Sequence, residues 1–209
     1  GSALFQTADE YERLVANPFQ DVKEMSKRQM VAAETQRGAI RLSQVNPESD
    51  PIDSVGGVSF RHLSMLAQIK SSDGDVWSSL NRSGHVKGDP SDSLRVRLAR
   101  MRNWIDGPHF PEDAKLEIRS EIGDDARGEI GTTGINFLRK LEALLSECEW
   151  TDAGISESIS EACESTELSR KQGFATIYWA IIGRGNGPKA SLLISEMDRG
   201  NILSLLGNA

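Results

Sequence analysis

The chain has 209 residues, 38% hydrophobic and 26% charged, which suits one sizeable core or two small ones and excludes a disordered polymer. Its formal net charge of −7 argues against a surface built in bulk for a phosphate backbone. Two cysteines, Cys148 and Cys163, and three scattered histidines, His62, His85 and His109, supply neither a disulfide framework nor metal-ligand spacing, which fits a reducing, cytoplasmic setting. No apolar stretch approaches the roughly 18–20 residues of a membrane helix. The opening Gly1-Ser2 resembles a cloning scar, with no signal peptide after it, and suggests a piece excised from a longer protein.

Helix-spaced apolar residues dominate from the start, and strand-like alternation is nearly absent. The stretch TADEYERLVAN (7–17) predicts a helix capped by Thr7 and stopped at Asn17-Pro18. A second helix is expected over 23–44, then a Pro/Asp/Ser/Gly-rich linker at 45–57. Ser59 is placed to cap a helix whose Phe60, Leu63, Leu66 and Ala67 share one face. Asp75 is read as the cap of a short helix carrying Val76, Trp77 and Leu80, and a turn cluster follows at 81–92. The most regular element is SDSLRVRLARMRNWI, with Leu94, Leu98, Met101 and Ile105 in one stripe and Arg95, Arg97, Arg100 and Arg102 expected to face outward. Pro111-Glu112-Asp113 reads as the first turn of another helix. TTGINFLRKLEALLSEC places Ile135, Leu138, Leu141, Leu144 and Leu145 on one side, and Trp150-Thr151 caps the helix after it. The fold class is therefore all-α, a multi-helix array.

The glycine cluster in FATIYWAIIGRGNGPKASLL (174–193) raises the question of a nucleotide loop. Phe174, Ile177, Tyr178, Ile181 and Ile182 repeat at helical rather than strand spacing, and a dinucleotide loop must follow a strand. Pro188 offers no N–H to a phosphate, and no Lys-Ser/Thr pair follows the glycines. The expected structure is a joint in which Gly183 or Gly185 ends one helix in the left-handed conformation and Pro188 sits in the first turn of the next.

Taken in series, DEYERL (9–14), VSFRHLSMLAQI (58–69), RLARMRNWI (97–105), EWTDAGISESI (149–159) and FATIYWAIIGRGNGPKASLLI (174–194) resemble the C-terminal region of class I lysyl-tRNA synthetases. The resemblance spans nearly the whole chain, and the glycine–proline joint is its most specific phrase. It implies a helical domain like the helix cage that binds the anticodon in class I synthetases. Residues 1–57 would lead from a missing catalytic domain, 58–145 would form a first helical subdomain, and 146–209 a C-terminal one holding the joint. No HIGH-like sequence occurs. EMSKRQ (24–29) looks like a KMSKS motif but lies after DEYERL rather than before it, and reads as a solvated helix face. The fragment itself would hold no cofactor, since ATP would bind the catalytic domain, and it should be inactive alone.

An anticodon offers splayed bases, which are recognised by stacking on rings or guanidinium planes, while phosphates need Arg or Lys. Candidate RNA-binding residues are Arg61 and His62; Arg95, Arg97, Arg100 and Arg102 with Trp104; Arg139 and Lys140; and Trp179, Arg184 and Lys189 around the joint. Each has a plainer alternative: the arginines as a solvated, ion-paired face, the tryptophans as core, Arg61 and His62 as ties between helices. The partners would be the tRNA(Lys) anticodon stem-loop and the catalytic domain of the same polypeptide. A helical protein-interaction scaffold, acidic in sum, is the competing function.

Overall fold

The computed structural model describes residues 2–16, 26–43 and 57–209. Among these residues there is no strand, and the chain forms ten α-helices: α1 (Ser2–Ala16), α2 (Lys27–Ser43), α3 (Phe60–Ile69), α4 (Asp73–Arg82), α5 (Asp92–Ile105), α6 (Asp124–Glu147), α7 (Asp152–Ser165), α8 (Arg170–Ile182), α9 (Ala190–Ser195) and α10 (Arg199–Gly207). The all-α expectation holds. No helix among the described residues is long and apolar enough to cross a membrane. The chain divides into two compact units, Gly1–Lys115 and Leu116–Ala209. The sequence's linker falls outside the described residues except for Gly57, as do Asn17-Pro18 and the first two residues of EMSKRQ. The rest of that phrase enters α2, where the Ser26 N–H and Oγ both donate to Gln29 Oε1, a helix start rather than a lysine loop.

In the first unit, α3 is the organising helix and packs against α1, α4 and α5. Its buried Leu63, Met65, Leu66 and Ala67 meet Val76 and Leu80 of α4 and Leu94, Leu98 and Met101 of α5 in one core. Ser59 and Ser91 cap α3 and α5 by accepting from the N–H groups of His62 and Leu94. Two caps differ from expectation. The helix α1 begins at Ser2, so Thr7 lies inside it and its hydroxyl donates to the Ala3 carbonyl. In α4 the cap is Ser72, which accepts from the Asp75 N–H; Asp75 is the third helical residue, where its charge favours the helix N-terminus.

In the second unit, α6 is the axis, packed by α7, α8 and α10, with α9 against α7. Phe137, Leu138, Leu141 and Leu145 of α6 are fully buried among Ile155 of α7, Ile177 and Ile181 of α8, Leu193 and Ile194 of α9, and Ile202 and Leu206 of α10. The expected stripe is therefore right at its centre, while Ile135 and Leu144 are only half-buried. Gly131 interrupts α6 at φ +62° and ψ 179°, a backbone region open essentially to glycine alone, and separates the expected helix from an extra N-terminal piece over 124–130.

Pro111-Glu112-Asp113 does not open a long helix. A single 3₁₀ turn, Glu112–Ala114, forms and ends at extended Lys115. The following LEIRSEI alternates apolar and charged residues instead of repeating at helical spacing.

Candidate functional site

The glycine–proline joint is the most elaborately built corner of the second unit. A capping box at Ser169 and Gln172 starts α8. Gly183 ends it at φ +66° and ψ 29°, with its N–H donating to the Trp179 carbonyl. Beyond the turn, the Tyr178 hydroxyl donates to the Pro188 carbonyl, and Gly187 lies against the Tyr178 ring and Ile182. The N-cap of α9 is Lys189, so Pro188 stands one residue before the cap rather than in the first turn of the helix. Lys189 Nζ and Ser191 Oγ both reach Asp152 of α7, at 2.6 and 2.8 Å, which ties α9 to the start of α7. Burial raises the Tyr178 phenol above its ordinary range, so it stays a neutral hydrogen-bond donor. The corner is a joint, as its periodicity implied.

Arg119 completes the corner, and no sequence signal pointed to it. Its N–H donates to the Ile181 carbonyl at 2.8 Å, and its guanidinium lies over the α-carbon of Gly183. From there it forms two parallel bonds to Asp125, Nη1 to Oδ1 at 2.9 Å and Nη2 to Oδ2 at 2.7 Å. Its only trace in the sequence is the spacing of an arginine six residues before an acid at a helix start.

That pair has a pH consequence. The Arg119 hydrogen bonds, helped by the Ala126 N–H, lower the Asp125 carboxyl from 3.8 to about 2. A depressed carboxyl stabilises the native state above the unfolded value, and the contribution disappears as pH falls through the native one. The thermal midpoint of the wild type is therefore expected to exceed that of Asp125→Asn near neutrality, and the two should converge between about pH 4 and pH 2. Equal midpoints at pH 6 would show that the pair does not contribute.

The other candidates in this unit are dispersed over its elements. Arg139 donates to the Ala209 main-chain oxygen at 2.9 Å, and Lys140 is half-buried on α6. Trp179 is half-buried, with its indole nitrogen beneath Gly185, and Arg184 is half-buried beside it in the chain. Burial pushes the Cys163 thiol up, away from nucleophilic chemistry.

In the first unit the expectation that four arginines face outward needs correction. Arg97 and Arg102 turn inward. Arg97 donates to the Val58 carbonyl at 3.1 Å and to Glu12 of α1 at 2.5 Å, with both side chains only 20% exposed. Arg102 bonds the carbonyls of Ala67 and Lys70 and pairs with Asp73 at 2.7 Å, closing the other end of α3. Helix ends leave unpaired carbonyls, and a guanidinium fork satisfies several at once. Arg95 and Arg100 do face outward, along with the exposed Val96; Arg95 bonds the Pro90 carbonyl, and Arg100 makes no ion pair among the described residues.

Around the start of α3 the structure gathers four of the candidates, Arg61, His62, Arg97 and Trp104. Arg61 pairs with Asp9 at 2.6 Å and lies over the Phe5 ring at 5.2 Å. Arg97 approaches the Phe60 ring at 6.0 Å. Trp104 joins half-buried Phe5 and Phe60 and buried Phe110 in a ring cluster, with centroids 4.6 to 6.2 Å apart. His62 is buried, its ring edge-on to His85 at 4.7 Å, and presents almost no surface. No group of three or more potential metal ligands occurs among the described residues.

No family model matches the chain. Curated proteins do. The lysine–tRNA ligase of Methanopyrus kandleri is 27% identical over 97% of this chain and 36% of its own length. That of Aeropyrum pernix is 29% identical over 78% of the chain and 31% of its own length, and that of Pyrococcus horikoshii 23% identical over 79% and 32%. The chain spans about a third of the length of the curated relatives it matches. All three relatives carry one name, and one of them aligns along almost every residue here, so this chain is similar in sequence to these archaeal lysine–tRNA ligases.

Proposed function

We propose that the chain is the tRNA-binding, anticodon-recognising part of a class I lysine–tRNA ligase. The observation that carries this is the match itself: nearly the whole chain aligns, yet to only about a third of its relatives. The catalytic steps, in which ATP activates lysine and the lysyl group passes to tRNA(Lys), would belong to the rest of such a protein, the catalytic domain that is its other partner. The fragment alone should show no ligase activity. Its setting would be the cytoplasm, where aminoacylation serves translation.

Binding would divide by chemistry. Phosphates would be met by cations that pair with no acid among the described residues, foremost Arg100, with Arg95 on the same helix. Bases splayed from an anticodon loop would stack on half-exposed rings, each worth about 1–3 kcal/mol. In the first unit Trp104, on the helix of Arg100, supplies such a ring; in the second unit Trp179, beside Arg184 and the exposed Gly185–Gly187 turn, is a separate candidate. Phosphate contacts place the RNA, and base contacts would choose it.

The experiment is a titration with a tRNA(Lys) anticodon stem-loop at two salt concentrations, beside an unrelated stem-loop. The lysine stem-loop is expected to bind more tightly. Arg100→Glu should weaken binding several-fold and reduce the slope of log affinity against log salt by about one, as a phosphate contact is lost. The competing scaffold function draws on the acidic outer face of α7, with Glu157, Glu161 and Glu164 exposed at helical spacing. No binding to either RNA at micromolar protein would favour it.

A further inference from the structure

One face of α1 is complementary to the start of α3. Phe5, Asp9 and Glu12 fall at i, i+4 and i+7, so all three project from the same side of the helix. Phe5 sets its ring edge-on against Phe60 at 5.5 Å and near Trp104 at 6.2 Å. Asp9 accepts from Arg61 at 2.6 Å. Glu12 Oε1 accepts from both the Phe60 N–H at 2.6 Å and Arg97 Nη2 at 2.5 Å. One ring and two carboxylates thus occupy a surface made of rings, two guanidinium groups and a main-chain N–H.

Those are the groups a single strand of RNA would use: rings for a base, cations and N–H groups for phosphates. Three of the residues expected to bind RNA, Arg61, Arg97 and Trp104, are engaged here by α1 instead. We infer that α1 is an internal anionic strap, an autoinhibitory contact that mimics a nucleotide segment and competes with RNA for the start of α3. This rests on the tRNA-binding function proposed above, and it adds a regulated subsite to it. Exposure suits displacement. Asp9 and Arg61 are 40% and 50% exposed, so their pair is weak, whereas the Glu12–Arg97 pair, each 20% exposed, is the firmer latch.

The test uses Asp9→Asn/Glu12→Gln, which removes two charges and keeps polar side chains of the same size. Against the anticodon stem-loop, the double variant is expected to bind several-fold more tightly than wild type. Its salt slope should be steeper by about one to two, one for each arginine released to a phosphate. Asp9→Asn alone, at a half-exposed position, retains the fold if Glu12→Gln does not, and should steepen the slope by about one. On the unmodified protein, hydrogen exchange of the α1 amides should quicken when RNA is added. Wild-type RNA binding with unchanged variant slopes, or with α1 amides equally or better protected, overturns the strap and leaves the RNA function standing. If neither wild type nor variants bind at any salt concentration, both are overturned.

Discussion

Replacing Phe137 by alanine is expected to destabilise the second unit by about 3–5 kcal/mol, the usual cost of emptying a buried aromatic site. Phe137 is fully buried on the helix that carries the unit, and its ring lies against the α-carbon of Gly173 on α8. Two further features make the site unable to collapse. A Cβ at Gly173 would meet the Cys163 sulfur as well as the Phe137 ring, so α6, α7 and α8 approach as closely as side chains permit. The glycine also leaves no side chain that could swing into the space. The measurement is urea unfolding followed by circular dichroism, with the midpoint change converted through the slope. A companion variant sharpens it. Gly173→Ala overpacks the wild-type core by about 1–3 kcal/mol, but in the Phe137→Ala background the new methyl gains room on one side. The two costs should therefore sum to less than their separate values, a coupling expected of residues in contact. A loss under about 1 kcal/mol for Phe137→Ala would mean that the neighbouring helices close the gap.

The second large effect is expected at the corner. Gly183→Ala places a Cβ at φ +66°, which alone costs about 1–2 kcal/mol. It also drives the methyl into the space of the Arg119 guanidinium, which must leave both Gly183 and Asp125. The backbone cost is unavoidable, while the displacement depends on Arg119 being present. Arg119→Ala should consequently lower the penalty of Gly183→Ala to its backbone part, and a double-mutant cycle reads the difference. If the alanine costs the same in both backgrounds, the guanidinium moves aside freely and only the left-handed turn matters.

These two sites frame the functional proposal. The corner between α8 and α9 is held by Arg119, Tyr178 and the Lys189–Asp152 pair. Such a frame gives the exposed turn over 185–187 and the ring of Trp179 a fixed setting. Lys189, expected to meet a phosphate, is partly committed to Asp152. In the first unit the same competition is stronger, since every cation at the start of α3 already faces a carboxylate of α1. An acidic protein can offer a phosphate only those cations that its own acids leave unclaimed, and among the described residues Arg100 of α5 makes no ion pair.

Local features were legible because their causes lie within a few residues. The stripe Leu94–Leu98–Met101, the caps Ser59 and Thr151, and the left-handed end of α8 at Gly183 all follow from helical period, hydroxyl chemistry and glycine's freedom. So did the reading of 174–193 as a joint. Local rules failed where two residues competed for one role, as when Ser72 rather than Asp75 took the cap.

Which arginines remain available for a partner was decided only by tertiary packing. Arg95, Arg97, Arg100 and Arg102 look alike along the chain. Yet Arg97 finds its acid 85 residues away in α1, Arg102 finds one 29 residues away in α4, and Arg100 finds none among the described residues. The break at Gly131 and the Arg119 lid over Gly183 have the same character. A charge's fate and a backbone's kink depend on what folding brings within a few ångströms, while helical period and cap chemistry are written in consecutive residues.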